Sequence, residues 1–172
     1  MWIVFFLFLF LIMVMIFYEK DQETFRERTD PLIEKVRNNV VTMVEYMQEK
    51  YPTERETQAL KTFDPNTIQE RHEDDKHSAY YRKRNNEESV GLCLTVRENA
   101  DPKKVDDNTL MFVVLHELNH KIYKGHDHDF KEGFRFLMRC AAEAGVYVPV
   151  NYKKHPVMYC SNWVNKNPYF TK

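Results

Sequence analysis

Glycine, cysteine and net charge are all scarce in this 172-residue chain, and each shortage excludes a class of protein. Four glycines exclude collagen-like and Gly/Ser-rich architectures, and three cysteines are too few for a small disulfide scaffold. A formal net charge of -1 gives no global reason to expect a nucleic-acid partner. Aromatic residues occur along the whole chain and argue against disorder, so the length favours one folded domain.

Apolar residues are unevenly distributed, because 43% of the residues are hydrophobic although the mean hydropathy is only -0.62. Residues 2–18 are all apolar or aromatic, and a helix of that length spans about 26 Å, enough for a thin bilayer core. A cleaved signal peptide would need a basic start and small residues at a cut site, and a buried core helix is a third interpretation. We therefore expect residues 1–18 to be a retained transmembrane anchor.

Basic residues follow this segment, and they predict its orientation. Residues 19–29 have the composition of a charged juxtamembrane linker that contains Lys20, Arg26 and Arg28. The positive-inside rule then places residues 30–172 on the cytosolic side of a viral or host membrane, as part of a single-pass protein. The cysteines Cys93, Cys140 and Cys160 are odd in number and lack a paired spacing, which favours reduced thiols.

Residues 30–172 carry helix and strand patterns in an order that predicts an α+β domain with a short sheet. Asp30 and Pro31 suit the start of a helix over residues 31–50, and Thr53 with Glu56 resembles a capping box. Helices are predicted at 31–50, from Thr53 to about Phe63, from residues 106–108 to Lys124, and from Asp129 to Ala144; a strand is predicted at Val90–Arg97. Residues 64–89 are predicted to be loops with one or two short strands, and residues 146–172 an extended tail.

The sequence His116-Glu117-Leu118-Asn119-His120 is an H-E-x-x-H motif inside a predicted apolar helix. Residues four apart lie on one helix face, so His116 and His120 can bind one Zn²⁺, while Glu117 lies beside the metal as a general base. Burial of these polar groups in an apolar helix is costly without a partner such as a metal. Histidines that form ordinary hydrogen bonds in a core are the alternative interpretation.

A catalytic zinc site needs a third protein ligand, and His126 is the favoured candidate. Gly125 would let the chain leave the helix and return His126 towards the metal. His128, Glu132 and Glu143 are the alternatives. Metzincins share this histidine spacing but have glycine where this chain has Tyr123, which argues against that group.

The stretch Leu115–His120, followed by Gly125, His126 and Phe130, resembles the WLM family of zinc metallopeptidases, relatives of SprT-like proteases. The strand Val90–Arg97 is also similar to a strand of that family, and residues 152–160 are similar to a segment of WLM-type proteins from large DNA viruses. The resemblance covers about residues 85–160, most specifically 115–130, and implies a small α+β zincin-like fold for the domain at residues 30–172. It also implies metal binding by His116, His120 and His126 and an acid/base role for Glu117.

These observations predict a membrane-anchored zinc metallopeptidase that hydrolyses protein or peptide substrates. The alternatives are a non-catalytic zinc-binding interaction module and a protease for DNA-protein crosslinks. The short basic runs Arg82-Lys83-Arg84 and Lys153-Lys154 are weak support for DNA, so a nucleic-acid partner is not expected. Tyr123, Tyr147 and Tyr159 are candidates for transition-state stabilisation, although simple packing is the favoured interpretation for each.

Overall fold

The computed structural model describes residues 10–15, 30–71, 76–96 and 103–170. Among these residues, no helix is long and apolar enough to cross a membrane. Residues 10–15, within the predicted anchor, are included in this finding. The predicted transmembrane helix at residues 2–18 and the single-pass membrane localisation are therefore wrong by this finding. The rest of that segment and the linker at 19–29 lie outside the described residues.

The described chain mixes α-helices with short β-strands. The helices are α1 (Pro31–Lys50), α2 (Arg55–Leu60), α3 (Asp107–Asn119) and α4 (His128–Glu143), with single 3-10 turns at Pro65–Thr67 and Pro168–Phe170. The strands are β1 (Ile68–Glu70), β2 (Ala79–Arg84), β3 (Glu87–Leu92), β4 (Thr95–Val96), β5 (Lys103–Lys104), β6 (Val157–Tyr159) and β7 (Asn162–Val164). The chain divides by its contacts after Pro31, and the core and the candidate site both belong to the second unit, Leu32–Lys172.

Helix α1 has the predicted bounds, because its apolar residues recur at helical spacing and bury one face. Val40, Met43 and Met47 are fully buried on that face. Arg37 is also buried, and its guanidinium donates hydrogen bonds to the carbonyl oxygens of Asn66 (3.0 Å) and Ile68 (2.7 and 3.0 Å). These bonds satisfy the buried charge and join α1 to the start of β1.

The main sheet has three strands in the order β1-β3-β2, with β1 parallel and β2 antiparallel to the central β3. Asn85 and Asn86 form the turn between β2 and β3 with φ values of 49° and 66°, as a two-residue hairpin turn requires. Helix α3 contacts both β3 and β2. Strand β2 is consequently an edge strand beside the helix that carries the H-E-x-x-H motif.

The region predicted as loops, residues 64–89, thus contains β1, β2 and the start of β3. The strand predicted at Val90–Arg97 is divided into the end of β3 and the separate β4, which pairs with β5. The capping box predicted for α2 is absent, because the N-cap residue is Glu54 and its side chain makes no capping hydrogen bond.

Helix α3 is the most deeply buried helix of the described chain. Leu110, Met111, Val114, Leu115 and Leu118 are all fully buried. The helix ends at Asn119 rather than at the predicted Lys124, because the following backbone N–H groups bond to carbonyls only three residues back. This earlier end lengthens the connection to α4 and gives the chain room to turn back.

The C-terminal residues form more structure than the predicted extended tail. Strands β6 and β7 form an antiparallel hairpin at residues 157–164. Cys160 at its turn forms a disulfide with Cys93, just after β3, so the prediction of reduced thiols is wrong for these two residues. Cys140 is a free, buried cysteine on α4. The pairing was not predictable because the two cysteines are 67 residues apart and only the fold brings them together.

Candidate metal centre

His116 lies in the last turn of α3, and His120, the C-cap residue directly after the helix, faces the same side. Asp106 caps this helix, since its carboxylate accepts a hydrogen bond from the backbone N–H of Thr109 at 2.9 Å. The apolar residues around the motif are buried against the sheet and α4, which fixes the helix axis. The ring centroids of His116 and His120 are 5.0 Å apart.

The connection between α3 and α4 returns His126 to this helix face. The Nε2 atoms of His126 and His116 are 3.0 Å apart, and the rings of His126 and His120 have centroids 4.8 Å apart. One ligand nitrogen from each of the three histidines lies within 4.8 Å of the others. Tetrahedral ligands at about 2.0–2.1 Å from Zn²⁺ are separated by roughly 3.4 Å, so this donor set fits a single ion.

Hydrogen bonds hold the ring of His120 and the turn that follows it. The Nδ1 atom of His120 lies 3.0 Å from the carbonyl oxygen of Tyr123, which leaves Nε2 for the cluster. Asn119 donates a hydrogen bond from Nδ2 to the carbonyl of Phe130 at 2.8 Å, and thereby joins the end of α3 to the first turn of α4. The Phe130 ring packs against all three imidazoles, with centroid distances of 4.7–5.0 Å.

Gly133 makes this close packing between the turn and α4 sterically allowed. A Cβ atom at this position would lie 2.4 Å from the Tyr123 ring and 2.8 Å from Oδ1 of Asn119. The Tyr123 hydroxyl donates to the Glu56 carboxylate at 2.7 Å, and so fixes the residue whose carbonyl orients His120.

The electrostatic environment keeps the histidines in the form that binds metals. Burial, with smaller contributions from the neighbouring His120 and His126, lowers the pKa of His116 to about 3. Burial also lowers the pKa of His120, against the effect of its bond to Tyr123. These two imidazoles are therefore neutral at neutral pH, and their nitrogens are available as ligands.

Glu117 directly follows His116, so its side chain is turned around the α3 axis relative to the histidine cluster. It lies at the boundary between α3 and β2. Its side chain is buried, and this burial raises the pKa of its carboxyl group to about 7, although a hydrogen bond from the backbone of Tyr81 partly opposes the shift. A carboxyl group with this pKa can accept and donate a proton near neutral pH. Glu117 and His116 together line a cleft of 760 Å³ along the edge strand β2.

The alternative third ligands lie outside the cluster. The Glu143 carboxylate accepts hydrogen bonds from the hydroxyls of Tyr46 (2.9 Å) and Tyr51 (3.2 Å) near the far end of α4. The exposed His128 lies 3.7 Å from the carboxylates of both Asp129 and Glu132 instead. Glu132 also forms an ion pair with Arg135. Of the four candidates, the structure brings only His126 to His116 and His120.

The three candidate tyrosines have hydroxyl groups that are bonded away from the cluster. Tyr123 is bonded to Glu56, as described above, and the Tyr147 hydroxyl accepts a hydrogen bond from Asn167 at 3.3 Å. Tyr159 accepts from the Cys93 backbone N–H at 2.9 Å and donates to the Ser78 carbonyl at 3.3 Å. The packing interpretation therefore accounts for all three phenol groups.

The surroundings of Glu117 include one of the candidate tyrosines and one histidine whose position was missed in the sequence. Tyr159 is buried beside Glu117, whose charge and the burial together raise the pKa of the phenol. His77, interpreted as a plain surface residue, is exposed but lines the cleft together with His116 and Glu117. The position of His77 has no local signal, because the segment that carries it, just before β2, is distant in sequence from α3. His72 lies outside the described residues.

Comparisons with known proteins give distant viral relatives and no family. The chain is 31% identical over 96 residues to an uncharacterized protein of Acanthamoeba polyphaga mimivirus, covering 55% of this chain and 47% of that protein. It is 33% identical over 64 residues to an uncharacterized protein of Invertebrate iridescent virus 6, covering 36% of each. The chain thus spans less than half the length of these relatives. No family model and no solved structure matches the chain.

Proposed function

We propose that this chain is a zinc-dependent metallopeptidase. The observation that carries the proposal is the convergence of His116, His120 and His126 beside Glu117, a buried carboxyl group at the wall of an open cleft. The three histidines would hold the ion, as the imidazole nitrogen donors that zinc commonly uses. WLM family membership remains a prediction that rests on the motif residues alone.

Zinc, when bound, would supply a Lewis acid that polarises the peptide carbonyl and lowers the pKa of a water molecule towards 7. Glu117 then has the role of proton carrier: its carboxylate removes a proton from the attacking water and donates it to the leaving amine. Tyr123 and Phe130 act as positioning residues, since they fix the ring of His120 by a hydrogen bond and by packing.

A structural zinc site normally has four protein ligands, whereas three histidines meet here in the described chain. This three-ligand set is the reason to prefer the peptidase over the non-catalytic binding module.

The experiment is hydrolysis of a mixed peptide library by the zinc-loaded chain, followed by mass spectrometry of the products. Wild type should cleave peptide bonds, and Glu117→Gln should lower the rate by about 10²–10⁴-fold with its zinc retained. A chelator should abolish cleavage by wild type. Undiminished cleavage by zinc-loaded Glu117→Gln would contradict the proposed role, and zinc binding with no cleavage by wild type would favour the non-catalytic module.

A further inference from the structure

A second cavity, of 610 Å³, opens beside the histidine cluster on the side away from β2. His116 and His126 belong to its wall, so it is continuous with the candidate metal centre. Phe112, Phe130 and Phe134 are buried aromatic residues in the same wall. The volume lies within the range of about 300–1,000 Å³ that is usual for ligand pockets.

The opposite wall is the C-terminal segment, residues 163–168. Arg135 holds this segment against α4, because its Nε donates a hydrogen bond to the Pro168 carbonyl at 2.7 Å. Asn167 is buried and bonds to the Val150 carbonyl at 2.8 Å, which fixes the segment from its other side. The cavity is therefore a formed feature of the fold with two supported walls.

Trp163 on β7 is the exposed aromatic residue of this wall, with 57% of its surface accessible. Its indole lies outside the hydrophobic core cluster, whereas the phenylalanines opposite lie largely within it. An exposed tryptophan at the wall of a cavity is typical of residues that contact a ligand, because burial of its large ring on binding is favourable.

The charges around the cavity are mainly positive. Its lining contains the cations Lys131, Arg135 and Lys166 and one carboxylate, Glu132, which is paired with Arg135. Lys131 and Lys166 are exposed on the two opposite walls. This arrangement complements a ligand with an apolar group at its centre and negative charge next to it.

We propose that this cavity is a substrate subsite for a large apolar side chain, aromatic by preference, in a peptide with acidic residues next to that side chain. The inference rests on the proposed peptidase function for its biological meaning. It adds the class of substrate: the phenylalanines and Trp163 bind the ring, and Lys131 and Lys166 bind the neighbouring carboxylates.

Binding can be tested without catalysis by the fluorescence of Trp163. The chain has two tryptophans, so Trp2→Phe leaves Trp163 as the single reporter, and Glu117→Gln prevents cleavage during the titration. The probes are capped hexapeptides that contain Phe-Glu-Glu, Ala-Glu-Glu or Phe-Lys-Lys, each added to the zinc-loaded chain. We expect Phe-Glu-Glu to bind at least tenfold more tightly than either of the others, with a saturable emission shift that weakens as salt is raised.

Charge reversal provides the matched control. Lys131→Glu with Lys166→Glu should weaken binding of Phe-Glu-Glu about tenfold and improve binding of Phe-Lys-Lys. Lys153→Glu with Lys154→Glu makes the same change of net charge at exposed residues outside the cavity lining, and should leave both affinities within twofold. Equal affinity for all three peptides, or equal loss in both double variants, would overturn the inference.

The outcome also separates this inference from the proposed function. Cleavage of library peptides without an apolar–acidic preference would leave the peptidase standing and overturn the subsite. Selective, Trp163-reported binding of Phe-Glu-Glu with no cleavage by wild type would support the subsite and contradict the peptidase. In an active enzyme, Trp163→Ala should raise KM for apolar–acidic substrates several-fold with little change in kcat, as expected for loss of ground-state binding.

Discussion

The two sides of the histidine cluster are held by contacts of different range. On the helical side, His120 bonds to a carbonyl three residues away and Asn119 to one eleven residues away. On the C-terminal side, the β6–β7 hairpin is held by a disulfide that spans 67 residues and by a hydrogen bond from Tyr159 across 81 residues. The three histidines thus depend mainly on local structure, with one long-range support from the Tyr123 hydroxyl to Glu56, 67 residues away, whereas the shape of the cleft depends on the fold as a whole. Changes on one side should therefore leave the other largely intact.

Metal removal should have the largest effect on stability and should act on the helical side. Ions that bind only the folded chain stabilise it by about 4 kcal/mol when free zinc is 1,000-fold above its dissociation constant. We expect a chelator to lower the melting temperature of wild type markedly in differential scanning calorimetry. His116→Ala should melt near the temperature of the chelated wild type and show almost no response to chelator. An equal response in both chains would place the stabilising metal elsewhere.

Loss of the disulfide tests the opposite side. Cys93→Ser with Cys160→Ser should lower the free energy of unfolding by about 2–4 kcal/mol, since the unfolded chain loses a long closed loop. Zinc affinity should change little, because neither cysteine contacts the histidine cluster. Urea unfolding and a zinc titration measure the two quantities. Cys140→Ala controls for the removal of a cysteine, and a large loss of zinc affinity in the double variant would show that the two sides are coupled.

Glu117→Gln should stabilise the metal-free chain in a pH-dependent way. Between the unfolded pKa of 4.5 and the folded pKa of about 7, the folded state holds the extra proton, so the Glu117 contribution to stability is lost as pH rises through this window. Glutamine does not titrate. The free energy of unfolding of Glu117→Gln should exceed that of wild type by nearly zero below pH 4.5 and by up to about 3 kcal/mol at pH 8. Denaturant unfolding at several pH values measures it, and a constant difference would contradict the raised pKa.

Tyr159→Phe should have the smallest effect, because it leaves the ring in place and removes only the hydroxyl. The Cys93 N–H and the Ser78 carbonyl lose their bonds to it, at a cost of about 1–2 kcal/mol in the free energy of unfolding. Zinc affinity should be unchanged. Tyr169→Phe, at an exposed ring, is the control and should be neutral in the same urea titration. A fall in zinc affinity for Tyr159→Phe alone would give this tyrosine a direct role at the centre.

Local chemistry explains which parts of the fold were predictable. The bounds of α1 and the helix start at Asp106 follow from periodicity and capping, which act within a few residues. The approach of His126 to His116 and His120 also agrees with the prediction, because the turn that returns it is short. The way the chain turns back differs from the expected one. Helix α3 ends at Asn119, and Gly125 is not the residue that ends it.

Long-range pairing explains what was not predictable. The polar run Arg82-Lys83-Arg84 forms part of an edge strand, because pairing with β3 compensates for its weak strand pattern. The Cys93–Cys160 disulfide and the position of Tyr159 beside Glu117 depend on the approach of the C-terminal hairpin to the sheet. The transmembrane prediction relied on the apolar run at residues 2–18, and no described helix combines the length and the apolar composition that it required.

The most direct test of the central claim is the zinc stoichiometry of the chain, measured by titration and by native mass spectrometry. Wild type should bind one tight zinc ion, and His126→Ala should weaken that binding by at least 100-fold. His128→Ala, two residues away and outside the cluster, should bind zinc as wild type does. Failure of wild type to bind zinc, or equal binding by His126→Ala and wild type, would contradict a metal centre built from these three histidines.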